Sequence, residues 1–312
     1  MISVVICTYN RANLLTDVLQ TVCEQTLEHS EYEVIVVDNN STDDTATVSY
    51  SFAARYPNVG YCFEPQQGLS HARNRGWQEA KGAYVAYIDD DCKAPPEWLA
   101  VAKEVIESVS PSIFGGPSLA FYNTPKPHWF QDSYESYVQK QESAPLKADQ
   151  YLSGGNIFFH KPLLRQIGGF DPSLGMSGEQ LAYGEESAIL RLVRTEIPQA
   201  TLYAEPRLYV YHLVRPEKMT WRWIIRDRFI RGRYEYRVYF SHQPSRLGRA
   251  GVILKAFAII VVLGLDALRG ILFRNRTKYR FIQNHLYESS LRYITSLGRV
   301  YEEYRHLANR KN

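Results

Sequence analysis

The chain has 312 residues, 45% of them hydrophobic and 22% charged, which excludes a disordered polymer and suffices for one or two domains with a large core. The net charge of +3 hides an asymmetry: residues 1–212 hold 15 Lys/Arg against 26 Asp/Glu, and residues 213–312 hold 21 against 7. An acidic body with a basic tail predicts two parts with different neighbours.

Met1 runs directly into "ISVVIC" (2–7), a β-branched strand with no secretory signal before it. In "NLLTDVLQTVCEQ", Leu14, Leu15, Val18, Leu19 and Val22 share one helical face. "YEVIVVD" (32–38) is the next strand, and "STDDTATVSYSFAARY" opens with Ser and Asp as a helix does. "VGYCF" (59–63) is a third strand, "GLSHARNRGWQEAKG" a helix ending at Gly82, and "AYVAYI" (83–88) a fourth strand. This alternation predicts a mostly parallel α/β sheet with helices on both faces. Cys7, Cys23, Cys62 and Cys92 form no C-x-x-C pair, so reduced thiols in a cytoplasmic compartment are expected.

Beyond residue 110, Gly and Pro punctuate short segments, including "TPKPHWF" (124–130) and "SGGN" (153–156), as in a half that completes the sheet and shapes a pocket. "YGEESAILRLVRTEI" reads as a helix with Glu185 and Glu186 in its first turn, and "ATLYAEPRLYVYH" returns as strand. After His212 the chain becomes helical and basic. "GVILKAFAIIVVLGLDALRGILF" (251–273) is its most apolar stretch, interrupted by Lys255 and Asp266 and followed by "RNRTKYR". Such a helix is expected to lie in or dip into an anionic membrane surface. Packing on the protein's own core or in a dimer interface is the alternative, and the two charges disfavour a full span.

Three strands run out into polar residues: Thr8-Tyr9-Asn10, Asp38-Asn39-Asn40 and Asp89-Asp90-Asp91. In open α/β sheets, ligands bind beyond the carboxyl ends of the strands, so these positions converge on one crevice. Three adjacent aspartates after a buried strand need a cation, a basic partner or water. Carboxylates at i and i+2 suit Mg2+ or Mn2+, ions that bind through one or two carboxylates plus substrate phosphates. No G-x-G-x-x-G follows the first strand, which disfavours a dinucleotide-binding dehydrogenase. The arginines of the tail flank an apolar helix, not a polar groove, so no nucleic-acid partner is expected.

"SVVICTYNR", "YEVIVVDNNSTDDT", "GLSHARNRGWQEAKGAYVAYIDDD", "SGGNIFFHKPLLRQIGGFDPSLG" and "GEESAILRL" follow one another as in family 2 glycosyltransferases, which residues 1–212 resemble. The resemblance implies a GT-A fold, a nucleotide-sugar donor (usually a UDP-sugar), Mn2+ or Mg2+, and inverting transfer to a glycan or lipid-linked acceptor in cell-surface polysaccharide synthesis. It implies a catalytic domain over 1–212, with a nucleotide-binding half (1–110) and an acceptor-side half (111–212). Residues 213–312 look like the basic helical extension of members at the cytoplasmic face of the membrane, and oligomers through these helices are an open possibility.

Carried onto this chain, the resemblance puts Thr8, Tyr9 and Arg11 in the nucleotide pocket and Asp38 on the base. It brings Arg73 and Asn74 near the nucleotide and aspartates. Asp89 would contact ribose or sugar and share the metal, and Asp91 would be the direct metal ligand. Asp90 falls in the same donor-binding stretch with no role of its own. "GEE" stands where Gly-Glu-Asp is commoner, so Glu186 inherits the role of general base, with Glu185 as the fallback. His212 is a candidate third metal ligand, and Arg215 and Lys218 candidate diphosphate contacts. Trp129, Gly154, Gly155 and Asn156 are candidate acceptor contacts. A catalytically silent nucleotide-sugar-binding protein of the same fold is the competing reading.

Overall fold

The apolar runs of the amino-terminal half fold as anticipated. β1 (Ile2–Thr8), β2 (Tyr32–Asp38), β3 (Val59–Phe63) and β4 (Tyr84–Ile88) alternate with α1 (Ala12–Cys23), α2 (Thr45–Ala53) and α3 (Leu69–Glu79). β1, β2 and β4 are apolar on both faces and buried inside a covered sheet, while β3 closes its edge. Val4, Ile6, Val34, Val36, Ala86 and Ile88 enter one core with Leu15, Val18 and Leu19 of α1. The intervening Val5, Val37, Val85 and Tyr87 enter a second core on the opposite face, with Ala72 of α3.

In this computed structural model, residues 1–138, 142–241 and 247–309 are described. The remaining elements of the first half are β5 (Cys92–Lys93), α4 (Trp98–Val109), β6 (Ile113–Gly115), β7 (Ser118–Phe121), β8 (Ala144–Pro145), β9 (Asn156–His160), α5 (Lys161–Ile167), α6 (Glu185–Glu196), β10 (Leu202–Ala204) and β11 (Val210–Leu213). Eight strands form the main sheet in the order β3-β2-β1-β4-β9-β6-β10-β8, and β5-β11-β7 form a small second sheet. β9 is antiparallel to both β4 and β6; the β3-β2-β1-β4 side is wholly parallel, while beyond β9 the sheet is mixed, with β6 and β10 parallel and β8 antiparallel to β10. "ATLYAEPRLYVYH", expected as one strand, is two strands in different sheets. Pro206 cannot donate to a ladder, and the buried Glu205 turns back to its own neighbour Arg207.

Register levels the strand ends. Thr8 pairs with Asp38, and Val5 pairs with Tyr87, so continuing that ladder brings Thr8 level with Asp90. The polar residues after β1, β2 and β4 therefore emerge side by side at one edge.

The chain divides into two units. The first comprises residues 1–121, 132–180 and 185–213, and the second residues 122–131, 181–184 and 214–312. The segments 122–131 and 181–184, read from sequence with the catalytic half, group with the helical part. The second unit contains α7 (Trp221–Glu235), which runs on into a π-helical turn (Tyr236–Phe240), then α8 (Arg249–Phe273), α9 (Ile282–His285) and α10 (Leu291–Asn309). Thr220 caps α7 by accepting the Trp223 N–H. α7 and α10 touch backbone to backbone: a Cβ on Gly232 would lie 1.9 Å from the Thr295 carbonyl oxygen, and one on Gly298 1.9 Å from that of Phe229. Beside this crossing, Arg233 and Arg237 each donate to Glu302 at 2.8 Å. Although burial opposes its ionisation, these two bonds hold the Glu302 carboxyl below the usual range.

Candidate active site

At the end of β2, Asp38 is buried and both its oxygens are engaged. Oδ1 accepts the Ser41 N–H and Oδ2 the Tyr61 hydroxyl, each at 2.9 Å. Burial and this carboxylate raise the Tyr61 pKa, so the hydroxyl stays a donor. Tyr61 was not singled out from sequence. Its signal is register, since it pairs with Val36, two residues before Asp38 on the neighbouring strand. The loops after β1 and β2 are laced together: Asn10, left-handed at φ 52°, accepts the Thr42 N–H at 2.7 Å, and Asp43 accepts the Ala12 N–H at 2.9 Å. Thr8 is buried at the floor between them, with Tyr9 next to it partly exposed.

Each aspartate of the triplet has a different partner. Arg11 donates to Asp90 at 2.7 Å and stands 3.8 Å from Asp91. Burial pushes the Asp90 carboxyl up to about 6, against the pull of Arg11. Asp91 faces His212, with Nε2 at 3.3 Å from Oδ1. The small sheet arranges this, since His212 pairs with Cys92 and the Leu213 N–H bonds the Asp91 carbonyl. Asp89, the most exposed of the three, faces Arg73 at 3.6 Å.

Arg73 is the centre of the cluster. It is buried, lies over the Phe170 ring at 5.4 Å, and donates to Glu185 at 2.7 Å. Gly154 and Gly155 back this arrangement: a Cβ on the first would come within 2.6 Å of Arg73 Nη2, and on the second within 2.5 Å of Asp89 Oδ2. The glycines of "SGGN" thus make room for the guanidinium and the carboxylate. Glu185 and Glu186 open α6, where the helix dipole favours negative charge. Burial first, and then the neighbouring Glu186 charge, push the Glu185 carboxyl up to about 8, with Arg73 opposing. Glu186 is only partly buried, and its Oε2 has no hydrogen-bond partner among the described residues.

Asp91, Cys92 and His212 offer three ligand atoms within 4.8 Å of one another. A carboxylate with an imidazole suits a divalent ion whose remaining positions are filled by phosphate oxygens, so the donor set fits Mn2+ or Mg2+. Asp89 lies outside this group of three and faces Arg73, and its part as a co-ligand stays a proposal.

Two other expectations are corrected. Asn74 does not face the crevice: it donates to the Phe170 carbonyl and accepts the Phe170 N–H, both at 2.8 Å, and accepts from Trp77 at 3.1 Å. The Asn156 side chain is fully buried, bonded to Trp98 and to the carbonyls of Pro117 and Leu208, so it offers an acceptor nothing. Trp129 belongs to the second unit, where one face of its partly exposed ring stacks on Trp221 at 5.2 Å; its role as an acceptor contact stays a proposal. Arg215, facing Glu217 at 3.4 Å, and Lys218 fall in the second unit and stay proposals as diphosphate contacts, neither overturned nor established.

A largely parallel sheet ending in an acid-rich crevice, with an imidazole beside the acids and two glutamates at a helix start, defines the class of GT-A nucleotide-sugar transferases. Residues 3–168 match Glycosyl transferase family 2, and the chain belongs to that family. It is a glycosyltransferase. The glycosyltransferase AglE of Haloferax volcanii is 30% identical over 179 residues, 57% of this chain and 58% of that protein. The glucosyl-dolichyl phosphate glucuronosyltransferase of the same organism is 25% identical over 268 residues, 84% of each chain. Among solved structures, the mannosyltransferase PcManGT of Pyrobaculum calidifontis, in complex with GDP-Man and Mn2+, shares the fold with a TM-score of 0.61 at 16% identity, covering 100% of this chain and 88% of that one. TarS 1–349 of S. aureus, in complex with UDP-GlcNAc, does so with a TM-score of 0.57 at 17% identity, covering 96% of this chain and 91% of that one.

Proposed function

We propose that this enzyme transfers a sugar, with inversion, from a nucleotide-sugar donor to a lipid-linked glycan acceptor at the cytoplasmic face of a membrane, in cell-surface polysaccharide synthesis. The observation that carries the reading is the run of contacts Glu185–Arg73–Asp89, which ties the paired glutamates to the donor-binding aspartates.

In this reading the nucleotide lies across the ends of β1 and β2, against Thr8, Tyr9 and Asp38, with Tyr61 and Ser41 holding the Asp38 carboxylate in place. A UDP-sugar is the first donor to test. Arg11 neutralises Asp90 and keeps the loop after β1 beside the triplet. Asp91 and His212 would hold the Mn2+ or Mg2+ ion, which when bound offsets charge on the departing diphosphate.

Glu186 acts as general base, with Glu185 held by Arg73 through one oxygen; Oε2 of each glutamate is buried without a hydrogen-bond partner among the described residues. The acceptor oxygen forms its bond to the anomeric carbon as the bond to the diphosphate oxygen breaks. The hydroxyl proton passes to Glu186, and the nucleoside diphosphate leaves from the opposite face. General-base help of this kind is worth roughly 10²–10⁴-fold.

Membrane attachment is supported within the second unit by α8. Leu254, Phe257, Leu265, Ile271 and Phe273 are exposed along its 25 residues. Of its four charged residues, Lys255 bonds Glu303 at 3.0 Å, Asp266 accepts from Ser289 and Ser290, Arg249 near one end donates to the Leu307 and Ala308 carbonyls, and Arg269 near the other end is exposed. The two charges that argued against lipid contact, Lys255 and Asp266, are thereby paired within the protein. A relative named for a dolichyl phosphate substrate supports the lipid-linked acceptor.

The test is release of nucleotide from a panel of nucleotide sugars by the full chain in nanodiscs, with Mn2+ or Mg2+ and lipid-linked acceptors. Acceptor-stimulated release with an inverted anomeric product is expected. Donor binding without release under every condition would leave only a silent donor-binding protein.

A further inference from the structure

The second unit holds a groove of about 330 Å3 between α7, α8 and α10. Phe229 of α7, Val252, Ala256 and Ile260 of α8, and Leu297 and Tyr301 of α10 line it, and its accessible lining is entirely apolar. The volume is at the lower end of the range for ligand pockets, suited to one hydrocarbon chain and too small for the paired tails of a bulk phospholipid. The groove continues onto the exposed side of α8, because Ile253 and Ile260 belong to both.

Charge beside the groove selects the head of the occupant. α7 and its π-helical turn carry six arginines, and four are engaged inside the unit. Arg228 bonds the Tyr287 hydroxyl, Arg231 bonds Asp227, and Arg233 and Arg237 bond Glu302. Arg222 and Arg226 are exposed, and no ion pair or hydrogen bond involves them among the described residues. They lie seven and three residues before Phe229, on the same helical face, roughly 10 and 5 Å from it along the axis. Two unmatched guanidiniums on the face of an apolar slot match a phosphate carrying one long chain.

We propose that this groove is the binding site for the hydrocarbon chain of a single-chain lipid phosphate, with Arg222 and Arg226 on its phosphate. This names the lipid part of the acceptor, so it rests on the transferase reading above.

The proposal is tested by binding alone, without donor. The full chain in phosphatidylcholine nanodiscs is labelled with a photoreactive farnesyl phosphate analogue, and the adduct is mapped by mass spectrometry. Labelling is expected on residues 252–260 and 297–304, reduced tenfold or more by Ala256→Phe, which fills the groove. Ile260→Trp, at an exposed mouth position, serves if the first variant does not fold. Unlabelled farnesyl phosphate should compete at least tenfold better than farnesol, and Arg222→Gln with Arg226→Gln should abolish that preference. Labelling spread along the outer side of α8 and indifferent to both groove-filling variants would mean general contact with membrane lipid, and overturns the proposal. Equal competition by farnesol overturns it as well. Nucleotide release, measured separately, reports whether the transferase reading survives either result.

Discussion

Arg73 and Glu185, 112 residues apart in the chain, form a buried hydrogen bond at 2.7 Å, and the same guanidinium faces Asp89 at 3.6 Å. One positive charge thus serves an acid at the start of α6 and another at the end of β4. Removing it leaves the Glu185 carboxyl buried without its donor. Leaving a buried polar group unsatisfied costs about 1–3 kcal/mol. Arg73→Met is therefore expected to lower the unfolding midpoint markedly and to reduce turnover at least a hundredfold. Thermal unfolding and nucleotide release check the two effects, and a variant with normal turnover would remove Arg73 from the mechanism.

The two glutamates should separate kinetically. Glu186→Gln is expected to reduce kcat by about 10²–10⁴-fold with donor affinity almost unchanged, since only the proton acceptor is lost. Glu185→Gln should retain more activity, because an amide oxygen still accepts from Arg73. The opposite ranking would transfer the role of base to Glu185.

The raised Glu185 carboxyl makes a stability prediction with a definite sign. Its pKa lies near 8 in the folded protein, above the ordinary carboxylate value, so between about 4.5 and 8 the folded state holds a proton that the unfolded state has released. Stability from this group is present at low pH and is lost as pH rises through that window. Denaturant unfolding from pH 5 to 9 should show the decline, and Glu185→Gln should flatten it.

Metal binding should depend on Asp91 and His212 and much less on Asp90, whose partner is Arg11. A ligand at a hundred times its Kd stabilises the fold by roughly 2.7 kcal/mol. Mn2+ with nucleotide is expected to raise the unfolding midpoint of the parent protein and of Asp90→Asn. Asp91→Asn and His212→Ala should lose most of that rise. A full response in Asp91→Asn would sink the ligand assignment.

The close crossing of α7 and α10 predicts a packing defect. Gly298→Val has no room beside the Phe229 carbonyl, and overpacking of this kind typically costs about 1–3 kcal/mol or more. Faster limited proteolysis within residues 214–309 is the expected readout.

Much of this was legible in the chain. β2 and β3 span the residues anticipated, since uninterrupted apolar runs between turn residues admit few other structures. The convergence of Thr8, Asp38 and the triplet followed from strand order alone. Partnerships across the sheet were not legible. Nothing in sequence spacing links Arg11 to Asp90, and Asn74 looks like a surface residue of a polar helix until the Phe170 backbone arrives to occupy it. Asn156 misled in the same way, because a polar side chain beside two glycines resembles a binding loop whether its amide faces substrate or the protein's own carbonyls.

The pairing of Lys255 with Glu303, and of Asp266 with Ser289 and Ser290, bears on the order of events during synthesis. All three partner positions emerge after α8 itself. While the chain is still growing, Lys255 and Asp266 of α8 lack these partners. Only when α10 has been made and has folded back are both compensated. Attachment to a bilayer by this helix is therefore expected to follow synthesis of α10, so a truncation before residue 289 should be released into the soluble fraction or aggregate even though α8 is intact.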